Sequence, residues 1–166
     1  MAKATAETGK AVLETPPGTG TLTIRRLLEA PRRLVFEAFA DPTQVDRWFG
    51  PEGFRNTTHE HDLRPGGVWR HTMHGPDGTE YPNKSVFVEI DPPERIVWDQ
   101  GWDHADSEAM HRSSITLRAR GDKTEVELRL EFPTQEARDQ AVRDVGAVDG
   151  GKQTLARLAA HVEAGE

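Results

Sequence analysis

Aromatic, imidazole and carboxylate side chains crowd the middle of this 166-residue chain, and their spacing limits the chemistry they can share. Trp48, Phe49, Trp69, Trp98 and Trp102 include all four tryptophans of the sequence. An indole offers a large apolar surface and one N–H donor, so it suits either a packed core or the wall of a ligand pocket. On an extended strand Trp98 and Trp102 share parity with Gln100, a polar residue that a fully packed core disfavours. His71 shares parity with Trp69 and Met73, so it enters the same interior space as proton acceptor or ligand anchor, the alternative being a hydrogen-bonded structural histidine. His59 and His61 face the same way on a regular strand, whereas His71 and His74 point to opposite faces.

Other chemistries find less support. Glu60 and Asp62 share a strand face, and a carboxyl buried there would have a raised pKa and serve as general acid or base. Asp62, however, adjoins Arg64-Pro65-Gly66-Gly67 and is expected to hold that turn by hydrogen bonds. No metal is expected, because the chain has no cysteine and no helical HExxH pattern. Ser85, Ser107, Ser113 and Ser114 sit in no nucleophile elbow, and the glycines near Gly66 and Gly150 lack a phosphate-loop lysine pattern.

The elements that must position these residues follow from pattern. Residues 21–29 read as a strand, and 31–40 as a helix opening at Pro31 with Leu34, Val35, Ala38 and Phe39 on one face. Asp41 caps a second short helix over 42–48, which Gly50-Pro51 stops. Strands are expected over 54–63, 68–74, 84–91, 95–102, 111–119 and 123–132, with turns at 64–67, 75–78, Pro92-Pro93 and 120–122. Val86, Val88 and Ile90 line one face of their strand, and Ile96, Trp98, Gln100 and Trp102 one side of the next. In the last strand Val126, Leu128, Leu130 and Phe132 alternate with Glu125, Glu127, Arg129 and Glu131, which reads as one buried and one solvated face. Thr134 caps a helix over 135–144, Gly146 and Gly150-Gly151 interrupt it, and a final helix over 151–164 carries a stripe of Leu155, Leu158, Ala159 and Val162. Residues 1–19 read as a flexible leader and 20–165 as one domain.

A helix roughly 10 Å wide cannot cover a bent sheet of six or seven strands. The gap beside it must hold side chains or a ligand. The net charge of −7, from 21 basic and 28 acidic residues without a basic cluster, argues against nucleic acid and anionic membrane surfaces as partners. No apolar run suggests membrane insertion or a signal peptide, and the lack of cysteine fits a reducing cytoplasm.

Several segments in register resemble a known family. They are Phe39-Ala40-Asp41-Pro42 with Arg47-Trp48-Phe49-Gly50-Pro51, the run from Asp62 to Arg70, and Gly75-Pro76-Asp77-Gly78. The run from Glu89 to Val97 and the run from Gly150 to Leu158 complete the set. Together they resemble the START-like (SRPBCC) superfamily, in the branch named after the C-terminal domain of the heat-shock-protein (Hsp90) ATPase activator. That family usually has a glycine where Lys84-Ser85 stand here. The resemblance implies an α+β helix-grip fold, a curved antiparallel sheet around a long C-terminal helix with two short helices after the first strand. It brings no catalytic signature, because the motifs match turns, a helix end and packing positions.

The expectation is therefore a cofactor-free cavity protein binding a small hydrophobic or amphipathic molecule. Trp69, His71, Met73, Trp98, Gln100, Trp102 and Ser113 would line the site. The alternatives are a hydrolase, cyclase or isomerase using His71 or Glu60 in the same cavity, and a co-chaperone acting through its surface. The chaperone partner ranks last. Exposed strands or the terminal helix would allow a homodimer, although no motif specifies one.

Overall fold

The computed structural model describes residues 11–103 and 109–163. Ser107 and the chain beyond Glu163 therefore lie outside the described residues. Eight antiparallel strands form one curved sheet: β1 (Ala11–Glu14), β2 (Thr21–Leu28), β3 (Arg55–His61), β4 (Val68–His74), β5 (Glu80–Asp91), β6 (Arg95–Trp102), β7 (Ala109–Arg120) and β8 (Lys123–Glu131). Their spatial order is β1-β2-β8-β7-β6-β5-β4-β3. The long meander from β3 to β8 thus returns to pair with β2, and the segment between β2 and β3 must cross from near one end of the sheet to the other. Helices α1 (Arg32–Ala40) and α2 (Pro42–Trp48) make that crossing. Asp41 ends α1 and caps α2, its carboxylate accepting from the Thr43 amide at 2.9 Å. The Thr43 hydroxyl, donating to the same carboxylate at 2.8 Å, does most to hold the Asp41 carboxyl below its ordinary pKa, with the Thr43 amide and Gln44 adding to it against burial.

Two further helices, α3 (Gln135–Val145) and α4 (Ala147–Glu163), lie on the concave face. Thr134 caps α3 as expected, accepting from the Ala137 amide. The expected break at Gly150-Gly151 is absent. Only Gly146 interrupts, in the left-handed conformation at φ 64°, and the glycine pair sits inside α4. The reason is close approach: a Cβ on Gly151 would overlap the δ-methyl of Ile24. The α4 stripe of Leu155, Leu158, Ala159 and Val162 is buried against Leu22, Ile24, Ile115, Val126 and Leu128 of the sheet and Val35 and Trp48 of the short helices. This is the helix-grip α+β fold. Among the described residues no helix is long and apolar enough to cross a membrane.

Four departures from the sequence patterns matter. Residues 11–14, assigned to the leader, form β1 beside β2. Arg25 pairs with Glu14 at 2.6 Å, and Arg138 donates to the carbonyls of Pro16 and Thr21, so two buried guanidinium groups fasten this segment. Residues 1–10 of that leader lie outside the described residues. Next, β5 begins at Glu80 rather than at 84, because residues 80–83 complete the ladders to β4 and β6 although Pro82 breaks the alternation. Third, Val86 and Val88 face outward at 36% and 39% exposure, while Asn83, Ser85 and Phe87 face the interior. The ladder is regular at Lys84-Ser85, and the irregularity falls between Phe87 and Glu89. Fourth, the charged face of β8 is not solvated throughout. Glu125 and Glu127 are buried beneath Arg118 and Arg120, which reach them at 3.4–3.7 Å.

Candidate functional site

The concave face begins with β6 and β7, where Trp98, Gln100, His111 and Ser113 point toward the helices. Trp98 lies directly opposite Ser113, and Gln100 opposite His111. Across a gap stand Gly150, Gly151, Thr154 and Leu155 of α4. Phe39, Phe49, Gly50 and Pro51 close one end, Leu128 and Leu130 of β8 form the floor, and Met73 completes the wall. The cleft, partly open to solvent, measures about 200 Å³ and its lining is mostly apolar. A second cleft of about 430 Å³ continues under α3, between Trp102, His111, Leu130 and Phe132 and the helix residues Ala137, Gln140 and Ala141. A third, about 400 Å³, opens between Pro51, Phe54, Met73, Tyr81, Asn83 and Trp102. Shared walls join them: His111 and Leu130 belong to the first and second, and Pro51 and Met73 to the first and third.

Of the residues picked from sequence, Met73, Trp98, Gln100 and Ser113 line the first cleft together. Trp102 does not stand beside them. Two residues along β6 it keeps the parity of Gln100 but lies at the rim, 40% exposed, lining the second and third clefts and stacked on Tyr81 at 6.3 Å. Trp69 and His71 lie deeper. Trp69 is buried, stacked face to face on His71 at a ring distance of 3.8 Å, and its indole N–H donates to the Thr58 hydroxyl. Trp48 belongs to the core, donating to the Ala38 carbonyl at 3.0 Å.

Glu60, the second acid/base candidate, is corrected by the structure. A bulge between Thr58 and Glu60 resets strand parity, so His61 turns inward against Trp69 and Phe87. Glu60 then faces solvent beside Arg70, and His59, on the outer face, meets the Thr72 hydroxyl. His59 and His61 consequently do not face the same way. Asp62 has the turn role, accepting from the Arg64 Nε–H at 2.7 Å.

Electrostatics constrain the interior histidines. Burial pushes His71 down to about 3, with His59 and His61 adding like-charge repulsion. His111 is pushed down to about 4 by burial, which Asp99 opposes. Both are neutral at physiological pH and weak as bases. His111 and Thr154 are polar cleft residues that sequence reading missed; His111 shares strand parity with Ser113 and could have been found from it. The Asn56 amide nitrogen donates to the Phe49 carbonyl, so its oxygen receives the His71 Nδ1–H at 3.0 Å. Trp98 donates to Gln100, Gln100 to Asn83, and Asn83 to the Tyr81 carbonyl, forming a polar string along the same face. No group of three or more His, Cys, Asp or Glu able to hold a metal ion occurs among the described residues.

Comparison with known proteins agrees with this architecture. The family model described as "Activator of Hsp90 ATPase homolog 1-like protein" matches residues 29–163. A Mycobacterium smegmatis protein of known crystal structure is 26% identical, with a TM-score of 0.83 over 93% of this chain and 98% of its own. A Chromobacterium violaceum protein is 28% identical, with a TM-score of 0.74 over 87% and 97% of the two chains. The AHSA1 protein of Silicibacter pomeroyi shares the fold at 22% identity, with a TM-score of 0.71 over 88% and 99%. No curated protein matches the sequence.

Proposed function

Since the chain belongs to the Activator of Hsp90 ATPase homolog 1-like family, within the helix-grip fold, we propose that it binds a small hydrophobic or amphipathic molecule between the sheet and α4. The observation that carries this reading is the composition of the 200 Å³ cleft. Phe39, Phe49, Met73, Trp98, Leu128, Leu130 and Leu155 supply apolar surface, and Gln100, His111, Ser113 and Thr154 supply a few polar points. Such walls gain affinity from apolar burial, roughly 25 cal/mol per Å² before ordering costs, and use sparse polar groups for orientation.

Binding is favoured over acid/base catalysis. Glu60 lies outside the cleft, and His71 and His111 are held neutral with little basicity. The test is native mass spectrometry of the protein as purified, followed by thermal shift against fatty acids, fused-ring aromatics and polyketide-like compounds. One class is expected to raise the melting temperature with the logarithm of its concentration. Gly150→Leu, which grows a side chain from the lining position facing Pro51, is expected to abolish the shift. An empty protein that no compound stabilises would overturn the reading and move a surface partner, such as a chaperone, to first place.

A further inference from the structure

Five buried side-chain polar atoms lack a hydrogen-bond partner among the described residues, and three of them are the Nε groups of Arg25, Arg26 and Arg129. His71 Nε2 and Ser85 Oγ are buried with no hydrogen-bond partner among the described residues. The exposures of the two residues are 1% and 0%. The tautomer of His71 is fixed from behind, because Nδ1 gives its proton to Asn56, whose own orientation is set by the Phe49 carbonyl. Nε2 is therefore a bare acceptor. A buried acceptor without a donor costs free energy that folding alone does not recover, which marks the place where a hydrogen-bonding group is wanted.

The two atoms belong together by register. Trp69 pairs with Ser85 and His71 with Asn83, making His71 and Ser85 diagonal neighbours on adjacent strands. Such neighbours stand about 7–8 Å apart between backbones, and the His71 ring leans over Trp69, Ser85's direct partner. One oxygen can then give its proton to His71 Nε2 and accept from the Ser85 hydroxyl. They also lie one residue beneath the clefts. Gln100, opposite Ser85, lines the first, and Asn83, opposite His71, lines the third. Met73, two residues along β4 from His71, walls both clefts with an unbranched, adaptable side chain.

Resting on the cleft reading above, we propose that His71 and Ser85 form the polar end of the ligand site, selecting an apolar ring compound that carries a hydroxyl donor. A carboxylate would be rejected there, because its oxygens would face the His71 lone pair.

The experiment compares two matched probes, 2-naphthol and 2-methoxynaphthalene, by tryptophan-fluorescence titration. It uses the full chain, Ser85→Ala and His71→Phe. Ser85→Ala is the fold-safe variant, since its hydroxyl makes no bond within the protein. The preference for naphthol over its methyl ether is expected to be about tenfold larger in the native chain than in His71→Phe, with Ser85→Ala between them. In ¹⁵N spectra of the native protein the Nε2 resonance should shift with naphthol and not with the ether. Equal preferences in all three proteins and an unmoved Nε2 would overturn this proposal while leaving the cleft reading intact, the two atoms then being bridged by an internal water. Failure of both probes to bind would overturn this proposal, while the cleft reading would fall only if the wider thermal-shift screen also found no stabilising compound.

Discussion

At the scale of the residue, the interior is defined by histidines kept uncharged. An unfolded-chain histidine titrates near 6.5, whereas His71 and His111 in the fold lie at about 3 and about 4. Below pH 6.5 the unfolded state therefore binds more protons than the native one, so stability is undiminished above pH 6.5 and falls as acid is added through that window. The slope contributed by each group approaches about 1.4 kcal/mol per pH unit. Urea denaturation between neutral pH and pH 4.5 should show this decline, and His111→Asn should make it shallower. Parallel curves for the two proteins would mean that His111 is protonated as easily folded as unfolded. The same burial that makes these histidines poor bases keeps each ring neutral, with one nitrogen left as a hydrogen-bond acceptor, which is why binding is the better reading of the site.

At the scale of the element, irregularities decide which side chains reach the interior. The bulge after Thr58 expels Glu60 and admits His61. The glycine pair of α4 divides the same way. Gly150 has only ordinary contact, 3.5 Å from its would-be Cβ to Pro51, so Gly150→Ala should stabilise the helix by about 0.5–1 kcal/mol. Gly151→Ala pushes into Ile24, a fully buried core residue, and should destabilise by about 1–2 kcal/mol despite the gain in helix propensity. Thermal unfolding of the two variants should move in opposite directions. Movement in the same direction would show that α4 does not approach β2 as closely as described.

At the scale of the whole molecule, one side chain ties the halves of the cleft together. Arg157 of α4 donates to four carbonyls, those of Arg47, Gly50, Pro51 and Phe54, and so fixes the loop after α2 to the helix. Gly50 and Pro51 of that loop wall the cleft. Arg157→Ala removes the side-chain donor from all four, of which the Pro51 carbonyl keeps the Phe54 amide, and should cost about 2–3 kcal/mol in urea denaturation, with loss of ligand-induced stabilisation. Arg157→Lys should recover less than half of that stability, because an ammonium cannot span four acceptors as a planar guanidinium does. Full recovery by lysine would reduce the role to charge alone.

The sequence by itself determined the fold class, most element boundaries and four wall residues of the cleft. Alternation of apolar and polar positions is a local property, as β8 shows in Val126, Leu128 and Leu130, and the capping residues Asp41 and Thr134 act within one turn. Only the tertiary structure decided what parity could not. A one-residue bulge inverts every side chain beyond it on its strand, and nothing in the local composition around Thr58 announces one. The fate of β1 and of Glu125 and Glu127 likewise depended on arginines distant in sequence or on a neighbouring strand, among them Arg138, Arg25 and Arg118. Whether a buried polar atom is satisfied is a property of its surroundings, and so the His71–Ser85 pair came into view only when the strands were laid side by side.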